Sequence, residues 1–278
     1  MTKIAITGVT GKLGGFLAEE LAQKGLEARH LARSPEKAKQ YPKVEIRQSF
    51  YDESDQTIKS LTGIEVLFMV SARESLSRLE EHKALLRAAQ KAGVKHIIYT
   101  SFMNARPDAT FTLARDHAWT EGYIKELGFS YTFLRDNFYQ DMFLEIAEQA
   151  SLLRGPAGQG KVSALLRSDV AAVALRILQE PAKWENQSLN LTGPQALSLE
   201  EIAALLTQYL GKEVTYYDEG LEEAYEWRKQ WPAEDWQYDA WVTTYTAIAK
   251  DELSKVSGDV EHVLGRPARS FEDLLKSR

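Results

Sequence analysis

Over the first 135 residues, short apolar runs alternate with amphipathic stretches. Lys3–Thr7, Leu26–Leu31, Val44–Arg47, Val66–Val70, His96–Thr100 and Ser130–Leu134 read as strands. Between them apolar residues recur at helical spacing, as at Leu13, Leu17 and Leu21, and again at Leu79, Leu85, Leu86 and Ala89. Val66–Val70 is apolar without alternation, as in a strand covered by helices on both faces. Strands alternating with helices imply βαβ units, because parallel neighbours need a crossover. The pattern predicts an α/β fold built on a doubly wound parallel sheet over residues 1–150. Beyond that the order is a Gly-rich turn at Gly155–Gly160, a short strand, a helix near Ser168–Leu178 and a strand at Ser188–Leu191. A helix at Leu199–Leu210, a strand at Glu213–Tyr217 and a helical, aromatic stretch to about Lys250 follow. No linker of Pro, Gly or Ser separates this part, so 151–278 reads as a smaller C-terminal α/β lobe.

Composition narrows the class. The chain has 278 residues, 44% hydrophobic and 27% charged, which excludes a disordered protein. No apolar run is long enough to span a bilayer, and MTKIAITG carries no signal-peptide pattern. The absence of cysteine excludes disulfides and thiolate chemistry and fits a reducing compartment. A net charge of −6 speaks against nucleic acid as a partner. The expectation is a cytoplasmic protein, monomer or homodimer, with no membrane partner.

The first candidate site is Gly8-Val-Thr-Gly11-Lys-Leu-Gly14, directly after the first strand and opening a helix. A turn without Cβ atoms there lets backbone N–H groups and a helix N-terminus approach a pyrophosphate. This is the Rossmann-type arrangement, and Gly8, Thr10, Gly11, Lys12, Leu13 and Gly14 are the expected cradle. The second strand ends in His30-Leu-Ala-Arg33-Ser-Pro-Glu-Lys37. A site for NAD places an acid at that tip to bond the ribose 2′-hydroxyl. Here Arg33, with Lys37 nearby, suits a 2′-phosphate instead, because a guanidinium donates two parallel hydrogen bonds. The expected cofactor is NADP(H). Gly155-Pro-Ala-Gly-Gln-Gly160-Lys161-Val162 nearly matches a P-loop, but Val162 replaces the magnesium-binding hydroxyl and a strand follows instead of a helix.

Orthodox short-chain dehydrogenases place a Tyr-x3-Lys pair on the helix after strand five and a serine at that strand's end. Ser101 is present, but the helix carries His117 and Glu121, four apart and therefore on one face. The one Tyr-x3-Lys, Tyr225 and Lys229, lies in the acidic C-terminal part. The N-terminal segment through Gly14, Ala92–Ser101, Tyr131–Tyr139, Arg167–Ala171, Ala247–Lys250 and Gly265–Phe271, taken in order, resemble the NmrA-like, atypical short-chain dehydrogenase/reductase family. The resemblance implies NADP(H) binding, with nicotinamide and acceptor in a cleft against the C-terminal lobe. It implies an NADPH-dependent oxidoreductase, akin to the family's quinone and dye reductases, acting on a quinone-like or other planar electrophile. His117 falls on the family's active-site histidine, and Phe138 and Tyr139 fall on aromatics lining the nicotinamide pocket. Ser71, Ala72, Arg73, Ser101 and His117 would border the nicotinamide half, with His117 and Tyr139 as the catalytic candidates. The chain departs from the family at Phe50-Tyr51-Asp52, where relatives often carry Asp-Tyr. It departs again at Leu134–Tyr139, which reads Leu-Arg-Asp-Asn-Phe-Tyr where relatives read Leu-Arg-Asn-Gly-Trp-Tyr.

Against these stand plainer readings. His117 can be a surface histidine paired with Glu121, and His30, His82, His96 and His262 show no partners by spacing. No metal site is expected. Trp227, Trp231, Trp236 and Trp241 fall close together; Tyr238, Trp241, Tyr245 and Ile248 have helix-core spacing, leaving Trp227 and Trp231 as candidates for a lid over a flat substrate. The interleaved acids, Glu219 among them, read as a solvated face. A redox-sensing regulator that binds NADP(H) without turnover is the alternative function. Sugar-nucleotide epimerisation is disfavoured, since no tyrosine base occupies its slot.

Overall fold

The computed structural model describes residues 3–277. Its main sheet has seven parallel strands: β1 (Ile4–Ile6), β2 (Arg29–Ala32), β3 (Ile46–Gln48), β4 (Val66–Met69), β5 (His96–Phe102), β6 (Ser130–Asp136) and β9 (Gln187–Asn190). The spatial order is β3-β2-β1-β4-β5-β6-β9, so the winding direction reverses at β1. On one face α2 (Asp55–Leu61) and α3 (Arg78–Ala92) cover a core of Leu31, Leu61, Ile64, Leu67, Leu85, Ile97 and Phe133. On the other, α1 (Lys12–Gln23) packs against α6 (Arg167–Gln179). The doubly wound fold is as the apolar pattern predicts. Helices covering both faces explain why β4 and β5 are buried along their whole length.

The chain divides into two compact units. The first comprises Met1–Phe102, Asp116–Arg135 and Arg167–Asn190; the second comprises Met103–Arg115, Asp136–Leu166 and Leu191–Arg278. A single cut near residue 150 does not describe this division. The helix and strand expected within the C-terminal lobe, near 168–178 and 188–191, are α6 and β9 of the main sheet. β9 pairs in parallel with β6 through Thr132–Gln187 to Arg135–Asn190. A long excursion separates β6 from its parallel partner, so their adjacency has no local signature.

In the second unit, β7 (Leu152–Arg154) pairs in parallel with β11 (Thr215–Tyr217), and β8 (Lys161–Val162) pairs antiparallel with β10 (Leu197–Ser198). The Gly155–Gly160 turn therefore runs into a strand, as expected, and supplies no helix N-terminus. The helix Leu199–Leu210 (α7) has the bounds its sequence announces. Ser198 and Glu201 form a capping box at one end, and Gly211 takes the left-handed conformation at the other. Two helices complete the aromatic stretch, α8 (Leu221–Arg228) and α9 (Asp235–Ala249). Of the expected core set on α9, Ile248 is fully buried while Tyr238, Trp241 and Tyr245 are half-buried.

The interleaved acids Glu222, Glu223, Glu226, Glu234, Asp235 and Asp239 are exposed, as a solvated face requires, but Glu219 is not. Its side chain is fully buried and accepts from Arg154 Nε at 2.6 Å and from Arg228 Nη1 at 2.5 Å. The same two guanidiniums lie against the Trp227 ring, which also meets Trp231 edge-on, so Trp227 is tied into this cluster. Arg154 keeps a second carboxylate in Glu223 at 3.0 Å, but the buried Arg228 cation would be stranded if Glu219 were removed. Glu219→Ala is expected to lower unfolding stability by roughly 3–5 kcal/mol, read from urea denaturation; a loss below about 1 kcal/mol would show the cluster to be dispensable.

Candidate functional site

The point where a doubly wound sheet reverses direction opens a crevice at the carboxyl ends of its strands. In the first unit that crevice is a cavity of about 560 Å³. Its lining comes from the ends of four strands: Thr7 to Gly11 after β1, Arg33 after β2, Ser49 to Asp52 after β3 and Val70 to Arg73 after β4. The turn after β1 is built by close approach. Gly8 has φ +69° and faces Val70, and a Cβ on Gly14 would lie 2.3 Å from the Gly8 carbonyl oxygen. The α1 N-terminus therefore sits against the strand end, directly behind the Gly8–Gly11 turn that lines the cavity.

The cavity collects Gly8, Thr10, Gly11, Arg33, Ser71, Ala72 and Arg73 from the expected set. Leu13 and Gly14 are buried beneath it and shape the turn without lining the cavity. Lys12 lines a separate, smaller pocket beside Phe16, His30 and Tyr41, and Lys37 is exposed in a short 3-10 turn at Pro35–Lys37. Neither the Arg33 nor the Arg73 guanidinium makes an ion pair or hydrogen bond among the described residues; both side chains are exposed on the cavity wall. At the tip of β2 no acid opposes Arg33.

Sequence reasoning passed over Thr7, Ser49, Glu81 and most of what Tyr51 does. The Tyr51 hydroxyl meets Thr7 Oγ1 at 2.8 Å and donates to the Val70 carbonyl, joining the ends of β1, β3 and β4. Burial pushes its pKa upward, so it stays a neutral phenol. Asp52 accepts from the Ser54 and Thr57 hydroxyls and from the Ser54 N–H, and these donors hold its carboxyl below the usual range. The signal available was position alone: Thr7, Ser49 and Tyr51 closely follow a strand, while Glu81, in the first turn of α3, carried no such signal.

His117 and Ser101 sit elsewhere in the same unit. On α4 (Thr112–Glu126), His117 and Glu121 share a buried face but do not pair. Arg78 donates to His117 Nε2 at 3.0 Å; since a guanidinium can only donate, the ring proton is on Nδ1, which donates to the Tyr99 hydroxyl at 2.9 Å. Burial, then Arg78 and His82, hold its pKa well below the ordinary histidine value. Glu121 instead takes Arg135 through two bonds, of 2.8 and 2.5 Å, and the Ser101 hydroxyl at 2.6 Å. Ser101, fully buried, is committed to that carboxylate. Tyr139 belongs to the second unit, where it opens α5 (Gln140–Ala150) and its phenol donates to the buried Asp136 carboxylate. Its neighbour Phe138 packs edge-on against Phe111.

The chain belongs to the NmrA-like family, which it matches over residues 1–227. It is 36% identical over 228 residues to quinone oxidoreductase 2 of Escherichia coli (strain K12), covering 80% of this chain and 78% of that protein. It is 31% identical over 280 residues to the NAD(P)H azoreductase of Xenophilus azovorans, covering 99% and 97%. The structure of an Escherichia coli NADPH-dependent quinone oxidoreductase complexed with NADPH superposes with a TM-score of 0.90 at 30% identity, covering 99% of each chain. Citrobacter sp. triphenylmethane reductase complexed with NADP(H) gives a TM-score of 0.86 at 29% identity, covering 99% of each chain.

Three histidines of the first unit find partners that spacing hides: His82 with Thr120, His96 with Thr132, and His117 as described. His30 does not. It is 1% exposed, neither ring nitrogen has a partner, and burial pushes its pKa down to about 4. Between its ordinary value near 6.5 and pH 4 the unfolded chain therefore takes up a proton there that the folded chain does not. Its contribution is fully present above pH 6.5 and is lost as the pH falls. His30→Leu is expected to flatten the decline of the urea midpoint between pH 6.5 and 4; a variant with the wild-type slope would show that His30 does not titrate this way.

Proposed function

We propose that this chain is an NADPH-dependent reductase that passes hydride to a quinone-like or other planar electrophilic acceptor. The observation that carries the reading is the cavity at the sheet's reversal point, where a glycine turn and an unpaired Arg33 occupy the places of the pyrophosphate cradle and of the acid that an NAD site uses. The residues fit the cofactor: a Cβ at Gly8 or Gly14 would collide with Val70 or the Gly8 carbonyl, so glycine there keeps the turn tight enough for a pyrophosphate to approach, and Arg33 offers a two-pronged donor for a 2′-phosphate. Gly8, Thr10 and Gly11 would hold the pyrophosphate, while Ser71, Ala72 and Arg73 form the wall opposite the Arg33 edge. When bound, the cofactor supplies the hydride.

Such an acceptor asks the protein mainly for position and exclusion of water, and little for acid–base chemistry. The residues agree with that demand. His117 has both ring nitrogens engaged and serves Arg78 and Tyr99, so in this reading it supports the site without moving a proton. Tyr139 keeps a phenol in contact with a carboxylate and is the candidate for proton delivery. The reading places the chain in the cytoplasm, as a monomer or homodimer, without nucleic acid. The engaged His117 and the missing Tyr-x3-Lys on α4 also favour one alternative, a redox-sensing binder of NADP(H) without turnover.

The test is NADPH disappearance, followed by absorbance, with purified protein and a small quinone, against NADH. Rapid loss of NADPH and slow loss of NADH is expected. Arg33→Ala should reduce the preference for NADPH by roughly 10- to 100-fold, the worth of charge-assisted bonds to a phosphate. Tight NADPH binding without consumption favours the sensor, and an unchanged preference in Arg33→Ala removes that residue from cofactor choice.

A further inference from the structure

Three consecutive backbone amides beyond the end of β4 are captured by side chains from three other elements. Val70 N–H donates to Thr7 Oγ1, at the end of β1, at 2.9 Å. Ser71 N–H donates to Thr100 Oγ1, on β5, at 2.8 Å. Ala72 N–H donates to His82 Nε2, on α3, at 2.8 Å. A strand leaving its sheet loses its ladder partners, and its N–H groups must find others. Here they find hydroxyls and an imidazole, so the cavity wall at 70–72 is held from behind. Arg73, with its unpaired guanidinium, is the next residue.

The His82 contact is the most demanding of the three. The ring is fully buried, and an N–H donating to Nε2 requires that nitrogen to be unprotonated. The proton is on Nδ1, which donates to Thr120 Oγ1 at 2.9 Å, and Thr120 in turn donates to the Asp116 carbonyl at 2.7 Å. Burial, reinforced by the nearby Arg78 cation, pushes the His82 pKa down to about 3, so the acceptor persists through the physiological range. A protonated ring would present a donor to a donor, and the clasp would open.

We propose that His82 is a positioning residue of the cofactor site: by holding the Ala72 amide it sets where Arg73 enters the cavity, and through Arg73 it contributes to dinucleotide affinity. The inference rests on the NADPH-binding reading above and adds a residue that touches neither cofactor nor acceptor. His82 and Arg73 should therefore act as one unit. Phenylalanine at position 82 keeps the ring's bulk and loses both hydrogen bonds; glutamine retains an acceptor and a donor.

The experiment measures NADPH affinity by tryptophan fluorescence for the wild-type chain, His82→Phe, His82→Gln, Arg73→Ala and the double variant His82→Phe/Arg73→Ala. His82→Phe is expected to weaken binding by roughly 5- to 30-fold, the cost of stranding an amide, with glutamine recovering part of it. Arg73→Ala should weaken binding in the wild-type background and add almost nothing to His82→Phe. A merely structural histidine would lower the thermal midpoint and leave the Arg73 effect intact, and such additivity overturns the inference. If His82→Phe does not fold, the same cycle with Thr120→Val, which removes the acceptor fixing the ring's tautomer, decides the matter by the same criterion. A wild-type chain that binds no NADPH sinks the proposed function; one that binds while the cycle stays additive sinks only the role of His82.

Discussion

The pass of α1 over the turn that leaves β1 is the contact on which the rest of the first unit depends. With 2.3 Å between the Gly8 oxygen and the place a Gly14 Cβ would occupy, strand and helix meet through bare backbone. That approach brings the start of the helix to the strand ends, where the order of β2, β1 and β4 reverses. The crevice, its favourable potential for an anion and the supply of residues from four strand ends all follow from it. Arg33 is then in place because it lies just past β2, beside β1, and for no reason local to its own turn.

The polar interior of this unit is organised around one buried cation, which faces a neutral imidazole and a carboxylate. Arg78 is 4% exposed and faces His117 Nε2 at 3.0 Å and Asp116 at 3.8 Å. Burial raises the pKa of Asp116, while the cation and burial together hold His82 and His117 neutral. Keeping both imidazoles neutral avoids adding further cations beside Arg78 in a low-dielectric interior. Orthodox relatives use this helix for a tyrosine and a lysine that exchange protons. Here the helix carries hydrogen bonds whose donors and acceptors are assigned by geometry, a framework suited to holding neighbouring backbone in place.

What could be read from the chain was what neighbouring residues decide among themselves. The capping box at Ser198, the left-handed Gly211, the glycine turn and the uninterrupted apolar strands all announce themselves within a few residues. What escaped depends on partners far along the chain. Spacing placed His117 and Glu121 on one helical face, correctly, but could not show that Arg78 and Arg135 would claim them separately. Glu219 sits in an acidic stretch and looks solvated until Arg154, sixty-five residues earlier, folds onto it. β9 looked like part of a separate lobe because its parallel partner β6 lies across a long excursion. Ser71–Arg73 were expected at the site and line the cavity, and position after a strand end would have added Thr7 and Ser49, while the clasps behind them come from side chains of other elements.

The second unit carries one of the chain's two departures from the pattern of the family it resembles, and the structure gives it a physical content. Asn137 stands where the family pattern has glycine, and it is fully buried. Its amide donates to Ser163 Oγ at 3.0 Å and to the Leu253 carbonyl at 2.9 Å, while its Oδ1 accepts from the Phe138 N–H at 2.8 Å. A glycine could make none of these bonds. The side chain thereby joins three distant segments and fixes the backbone from which Phe138 and Tyr139 emerge, with Phe138 against Phe111 and Tyr139 against Asp136. Under the function proposed above, two aromatics held this way would lose little further freedom against a flat acceptor, which favours affinity through preorganisation. Replacement of tryptophan by phenylalanine at 138 leaves a smaller, purely apolar face without an indole N–H. Under the function proposed above, acceptor choice would be set at Phe138 and Tyr139, independently of the glycine turn and Arg33 proposed for the cofactor.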